Sequence, residues 1–164
     1  LNNIFFLKRN EIKEPLNTNE LIENFVVFKK YPSELEIQIK KTKFLARINK
    51  NGKTYLIGSN GKLLNNNFSY KNLPYIFGNP EIKEFIKFKK ILDESPILYS
   101  EIKNFYFFQS KRWDLELKNR TLIKLPVSSV KQVLNDVSEL LVLNSAKNFE
   151  IIDARVNNQI IINE

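Results

Sequence analysis

The 164-residue chain contains no cysteine, histidine or methionine, and only four glycines and one tryptophan. Without cysteine there is no disulfide framework, so an oxidising compartment is neither required nor excluded. Lacking both cysteine and histidine, the chain has none of the usual zinc ligands and none of the common nucleophile–base pairs. Two of the four glycines fall in Asn-Gly turns, and no phosphate-cradling loop or dinucleotide-binding turn is present. No run approaches the roughly 20 apolar residues of a membrane-spanning helix, and no signal sequence is visible. The first residue is not methionine and lies in a strand-like run, so any membrane anchor or export signal is expected upstream of Leu1. No metal, cofactor or catalytic residue is expected.

What is present suffices for a core. Hydrophobic residues make up 43% of the chain and aromatics 12%, which fits one ordinary domain or two small ones. The net charge of +8 is compatible with nucleic acid, an anionic membrane or acidic partners. The lysines are interleaved with glutamates, as in Glu81-Ile82-Lys83-Glu84, which reads as a solvated surface.

Taken in order, Asn3–Leu7 is a short apolar run. Lys8–Leu16 carries Ile12 and Leu16 at helical spacing, with Pro15 late, so a short helix ending near Asn17 is expected. Asn19 is placed to cap a further turn. Phe25–Lys30 and the strictly alternating Leu35–Ile39 read as strands joined by Tyr31-Pro32-Ser33-Glu34. From Phe44 the texture changes to short strands. Phe44–Ile48 and Lys53–Ile57 flank Asn51-Gly52, a strong hairpin signal, and Asn60-Gly61 turns the chain toward Lys62–Leu64. Asn65–Asn72 reads as a polar loop, and Leu73–Gly78 as an apolar segment broken by Pro and Gly.

A helix follows, with Asn79 as its cap, Pro80 in its first position and Ile82, Phe85, Ile86 and Leu92 toward a core. Ile102–Gln109, Arg112–Leu117 and Thr121–Leu125 form a predicted three-stranded meander, whose alternation puts Trp113, Leu115 and Leu117 on the buried face. Ser128 or Ser129 caps a helix with Val130, Val133, Leu134, Val137, Leu140 and Leu141 on its apolar stripe. Beyond a polar loop at Asn144–Asn148, Phe149–Val156 and Gln159–Asn163 flank Asn157-Asn158 as a terminal hairpin. The predicted class is α+β: a helix plus β-hairpin, followed by an antiparallel or mixed sheet covered by helices.

Few residues suggest chemistry. Glu81/Glu84 and Asp93/Glu94 sit on predicted helix faces beside lysines, and Asp153 and Arg155 share a strand face as an i, i+2 ion pair. Ser128-Ser129 needs no role beyond a cap. Lys40, Lys41, Lys43, Arg47, Lys50 and Lys53, with Phe44 and Tyr55 among them, raise the alternative of a basic nucleic-acid-binding module over Lys40–Lys53. A hydrolase or glycan-binding protein would need two convergent carboxylates in a cleft.

Several landmarks, in order, resemble the FtsQ/DivIB family of bacterial division proteins. They are Lys30-Tyr31-Pro32-x-x-Leu35-x-Ile37-x-Ile39 followed by Ala46-Arg47, the paired Asn-Gly turns, and Leu73-Pro74 with Gly78. After these come Arg112-Trp113-Asp114-Leu115-x-Leu117, Leu125-Pro126, the long helix and Ile151-Ile152-Asp153-x-Arg155. Lys41 and Phe44 depart from the Glu and Pro usual ahead of Ala46. The resemblance implies the C-terminal part of a polypeptide-transport-associated (POTRA) domain over residues 1–43 and a β domain over 44–164, with Tyr31, Pro32 and Trp113 as structural landmarks. It further implies a non-enzymatic scaffold of the divisome, anchored in the inner membrane with these domains on the periplasmic side of the division septum. Such a scaffold links early and late division proteins for septal peptidoglycan synthesis. FtsB and FtsL, alongside other divisome components, are the implied partners, with no nucleic acid. A partner strand would add to the last strand, at Asp153, Arg155, Val156, Gln159, Ile160, Ile161 and Ile162. Main-chain pairing at an edge free of Lys and Pro agrees with that mode.

Overall fold

Strict alternation in Leu35–Ile39 yields the strand it implies, within a longer element. The structure, a computed structural model, describes residues 9–32, 34–65, 70, 72–144, 149–156 and 159–163. In it β1 (Ile22–Lys30) and β2 (Glu34–Lys41) pair antiparallel beside α1 (Arg9–Thr18). Phe25 and Val27 lie opposite Ile39 and Ile37, so the hairpin has one apolar face. The run Asn3–Leu7 and Ser33 of the connecting turn lie outside the described residues.

Helix α1 ends at Thr18, one residue past the expected Asn17, and the Thr18 hydroxyl donates back to the carbonyls of Glu14 and Pro15. The further turn expected at Asn19 is present: Asn19 Oδ1 accepts the Leu21 N–H at 2.9 Å and its carbonyl accepts the Ile22 N–H at 3.4 Å, bending the chain into β1.

Among the described residues the second sheet has nine strands: β3 (Phe44–Lys50), β4 (Lys53–Gly58), β5 (Leu63–Asn65), β6 (Tyr75–Phe77), β7 (Ile102–Phe107), β8 (Trp113–Leu117), β9 (Leu122–Lys124), β10 (Ile151–Asp153) and β11 (Ile161–Asn163). Their spatial order is β11-β10-β9-β8-β7-β6-β3-β4-β5. Asn51 and Gly52 both adopt positive φ, as a two-residue hairpin turn requires.

The segment expected as a broken apolar stretch is strand β6, parallel to both β3 and β7. Pro74 precedes the strand, so its missing N–H costs no ladder bond, and its carbonyl accepts the Arg47 N–H at 2.9 Å. Gly78, at φ +92°, ends β6 where a Cβ would stand 2.2 Å from the Phe107 carbonyl oxygen.

Helices α2 (Ile82–Asp93) and α3 (Val130–Leu143) carry the residues that cover one face. The cap of α2 is Glu81, not Asn79, and Pro80 lies outside the helix. Glu84 Oε2 accepts the Glu81 N–H at 3.0 Å, while Asn79 accepts a bond from Lys50 instead. Phe85, Phe88 and Leu92 are the buried residues of α2, with Ile82 and Ile86 at the margin of the core. Phe88, absent from the expected stripe, stacks on Trp113 with 4.8 Å between centroids and 8° between planes. In α3, Leu134 and Val137 are buried, and Val130, Val133, Leu140 and Leu141 flank them as expected. Ser129 holds the cap position with left-handed backbone (φ 59°), and its hydroxyl bonds no helix N–H. Strand register aligns Ile152, Ile123, Leu115, Phe105, Ile76 and Ile48 in one buried row across six strands.

The hairpin unit is fastened to the large sheet by the β4–β5 turn. Asn60 Nδ2 donates to the carbonyls of Glu20 and Ile22 at 2.9 and 3.0 Å, and Lys62 Nζ reaches those of Asn17 and Asn19. A cation at the C-terminal end of α1 complements carbonyls that the helix leaves without internal partners.

Replacing Phe88 by alanine should lower the unfolding free energy by about 3–5 kcal/mol in chemical denaturation, since it removes a buried ring and leaves a cavity. A loss below about 1 kcal/mol would mean that the Phe88–Trp113 stack lies outside the cooperative core.

Candidate docking edge at strand β11

The crossover from β9 through α3 returns the chain parallel to β9 as β10, and β11 then pairs antiparallel with β10. Leu122 and Ala154 donate to Glu150 and Lys124 across the first ladder, and Glu150 donates to Asn163 across the second, each at 2.9 Å. No strand among the described residues pairs with the far side of β11. Ile161 is 52% exposed on the face away from the helices, while Ile162 lies opposite buried Ile152 on the helix-covered face. Ile160 packs against the margin of the core. The Asn157-Asn158 turn lies outside the described residues.

The ion pair expected at the end of β10 is present. Arg155 Nε and Nη2 donate to Asp153 Oδ1 and Oδ2 at 2.8 and 2.6 Å, and the Arg155 backbone N–H donates to Oδ1 at 3.2 Å. These bonds from Arg155 hold the Asp153 carboxyl below its usual range and push the guanidinium higher. Asp153 sits opposite Ile161 on one flank and Lys124 on the other, so three strands present their side chains in one row on the open face. Val156 and Gln159 are exposed in the connection, where the Gln159 N–H donates to the Val156 carbonyl at 3.2 Å. The structure thus brings the seven residues singled out in the sequence to one edge. The sequence reading missed Lys124, whose place in the row is fixed only once the β9–β10 register is known.

Beside this edge the open face forms a cleft of about 410 Å³ that includes Arg112, Asp114, Glu116, Lys124 and Arg155. It contains two carboxylates, but neither is free. Asp114 accepts from Arg112 Nε at 3.1 Å and from the Leu125 N–H at 3.3 Å. Burial pushes its pKa up, against the opposing pull of Arg112. Glu116 accepts from Tyr106 Oη at 2.6 Å and from Lys103 and Asn104 at 2.8 Å. Burial alone would raise its pKa, but these three bonds together bring it down to about 2. Both carboxylates of the cleft are thus engaged in internal bonds. Among the described residues no group of three or more His, Cys, Asp or Glu could hold a metal.

The cations of the basic stretch disperse. Lys40 lies in the two-stranded sheet and pairs with Glu23. Arg47 Nε donates to the Leu73 carbonyl and its guanidinium lies over Tyr75, while Lys50 is bonded to Asn79 and the Pro80 carbonyl. Phe44 packs on Tyr70, and Tyr55 packs against the core. Lys41, Lys43 and Lys53 remain exposed, on β2, just before β3 and on β4.

A family model described as "Cell division protein FtsQ/DivIB, C-terminal" matches residues 46–155. The chain belongs to this family. It is 28% identical over 139 residues to a cell division protein FtsQ of Bradyrhizobium diazoefficiens, covering 84% of the chain and 41% of that protein. It is 26% identical over 159 residues to the FtsQ of Rickettsia bellii, covering 95% of the chain and 60% of that protein. A DivIB of Clostridium tetani is 25% identical over 146 residues, covering 85% and 55%. The chain therefore spans between two fifths and three fifths of the length of these relatives. Among solved structures, the major extracytoplasmic domain of DivIB from Geobacillus stearothermophilus superposes with a TM-score of 0.47 at 10% identity, covering 66% of this chain and 98% of that one. Membership makes this a region of a cell division protein. No helix among the described residues is long and apolar enough to cross a membrane.

Because the folded-state pKa of Glu116 lies below its ordinary value, its bonds contribute stability above about pH 4.5, and that contribution is lost as pH falls toward 2. The stability difference between the native chain and Glu116→Gln should accordingly shrink between those limits when thermal midpoints are compared across pH. A difference independent of pH would refute the assignment.

Proposed function

We propose that this region is the partner-capturing part of a divisome scaffold. A strand from the FtsB/FtsL complex adds to β11, joining early and late division proteins for septal peptidoglycan synthesis. The observation that carries this reading is the unpaired edge itself: residues 159–163 contain neither Lys nor Pro, and Ile161 stands exposed beside the Asp153–Arg155 pair. Exposed edges in natural sheets are normally blunted by charge, proline or a covering segment. One left flat and uncharged supplies main-chain donors and acceptors for affinity and alternate side chains for specificity.

In the same reading the protein works by binding and not by catalysis, in the inner membrane with this region on the periplasmic side of the septum. Residues up to 43 are the end of a POTRA domain that helps recruit it, and residues 44–164 are the binding domain. The committed carboxylates Asp114 and Glu116 support a non-enzymatic role.

Ile161 is the position to test, because Ile160 packs on the core and its replacement would disturb folding as well as docking. Ile161→Lys places an ammonium opposite Asp153, compatible with the fold, and gives the edge the charge that natural edges use against pairing. Titration calorimetry with the C-terminal segment of FtsB should show at least tenfold weaker binding, with the unfolding midpoint unchanged. Undiminished affinity would rule out strand addition at β11.

A further inference from the structure

The docking edge hangs from a short support. Among the described residues β10 and β11 pair with the rest of the sheet only through β9, a strand of three residues, and the β9–β10 ladder is parallel. Parallel pairing is slightly the weaker kind per residue, and three residues give few bonds. Core packing of Phe149, Ile152, Ala154 and Ile160 adds hold, but apolar contact is non-directional and fixes register and angle less sharply than directed bonds do.

Among the described residues the buried polar or charged side chains are Thr121 and Asp114, at 2% and 3% exposure, and they serve the two ends of β9. Thr121 directly precedes the strand. Its Oγ1 donates to the Phe149 carbonyl at 2.8 Å, tying the entry of β9 to the entry of β10. Its own N–H and carbonyl are bonded to Asn119 Oδ1 and to the Leu117 N–H, so the hydroxyl is anchored to the end of β8. Asp114 lies on β8 and accepts the N–H of Leu125, which directly follows β9. It is held by Arg112, and its charge is felt by Arg155 at the exit of β10.

Burying a hydroxyl and a carboxylate costs free energy unless each finds directional partners, and an apolar side chain at either place would pack without that cost. What a hydrogen bond adds is a fixed direction. We propose that Thr121 and Asp114 are positioning residues of the docking edge: by pinning both ends of β9 they set the register and angle at which β10 and β11 present themselves to an incoming strand. This rests on the strand-addition reading, and neither residue touches the partner.

The test is amide hydrogen exchange on the whole chain, followed by binding of the FtsB C-terminal segment. Thr121→Val keeps the shape and removes the hydroxyl, whereas Thr121→Ser keeps the hydroxyl. In Thr121→Val, exchange at Ile151–Asp153 and at the β11 amides facing them should accelerate at least tenfold, with β3–β4 and β7–β8 unchanged. Binding should weaken by a similar factor, mainly through faster dissociation, and Thr121→Ser should restore both. Asp114→Leu, which removes the acceptor of the Leu125 N–H, should accelerate exchange at the Leu125 amide at the end of β9. If Thr121→Val instead accelerates exchange evenly over the nine strands, or nowhere, the positioning role is wrong. The exchange measurement involves no partner, so it stands or falls separately from Ile161→Lys, which decides strand addition itself.

Discussion

The parallel pairing of Tyr75-Ile76-Phe77 with strands on both sides is the constraint on which the large sheet depends. On one flank of β6 lies the antiparallel ribbon of β3, β4 and β5, and on the other the meander of β7, β8 and β9. Without those three residues the two halves would each end in an open strand, and the buried row would break at Ile76. The aromatic side chains of β6 reinforce the seam from the other face. Phe77 lies parallel to Tyr106 with 5.1 Å between centroids, and Tyr75 lies beneath the Arg47 guanidinium.

The architecture follows from where parallel pairs occur. Adjacent parallel strands need a crossover, and two of the three here are helical: β6 to β7 runs through α2 and β9 to β10 through α3, while β3 reaches β6 by way of β4 and β5. Both helices supply buried side chains to the same core, so the helix-covered face is apolar from Ile48 to Ile152. The opposite face stays open and has to satisfy its polar groups by itself. That explains the density of internal bonds around Asp114, Glu116 and Asp153.

Much of this could be read from residue patterns, where the pattern was local. Alternation located β2 and the buried side of Trp113, Leu115 and Leu117. Asn51-Gly52 located a hairpin, and a 3.6-residue period located α3 with its inward stripe. The isoleucine-rich run at residues 159–163, free of Lys and Pro, was legible as a strand. What could not be read depended on distant partners. β6 has three residues and no period, and only its neighbours make it a strand. Phe88 is the exception: three residues after Phe85 and four before Leu92, it belongs to the buried stripe by helical spacing alone, and it stacks on Trp113. Asp114 alternates outward, yet outward here means beneath Arg112 and Tyr106 rather than into water. The inward packing of Ile160 likewise depends on a core assembled from the rest of the chain.

The place of β11 in chain order has a consequence for the life of the molecule before it meets a partner. An uncapped, isoleucine-rich strand is adhesive, and adhesive strands are most hazardous while a chain is incomplete and its other edges are bare. Each of the strands beneath β11, from β3 through β10, precedes it in the chain. Its one ladder neighbour among the described residues, β10, is therefore already made when β11 emerges. That order shortens the time in which a bare isoleucine-rich strand could pair with the chain's own unfinished edges.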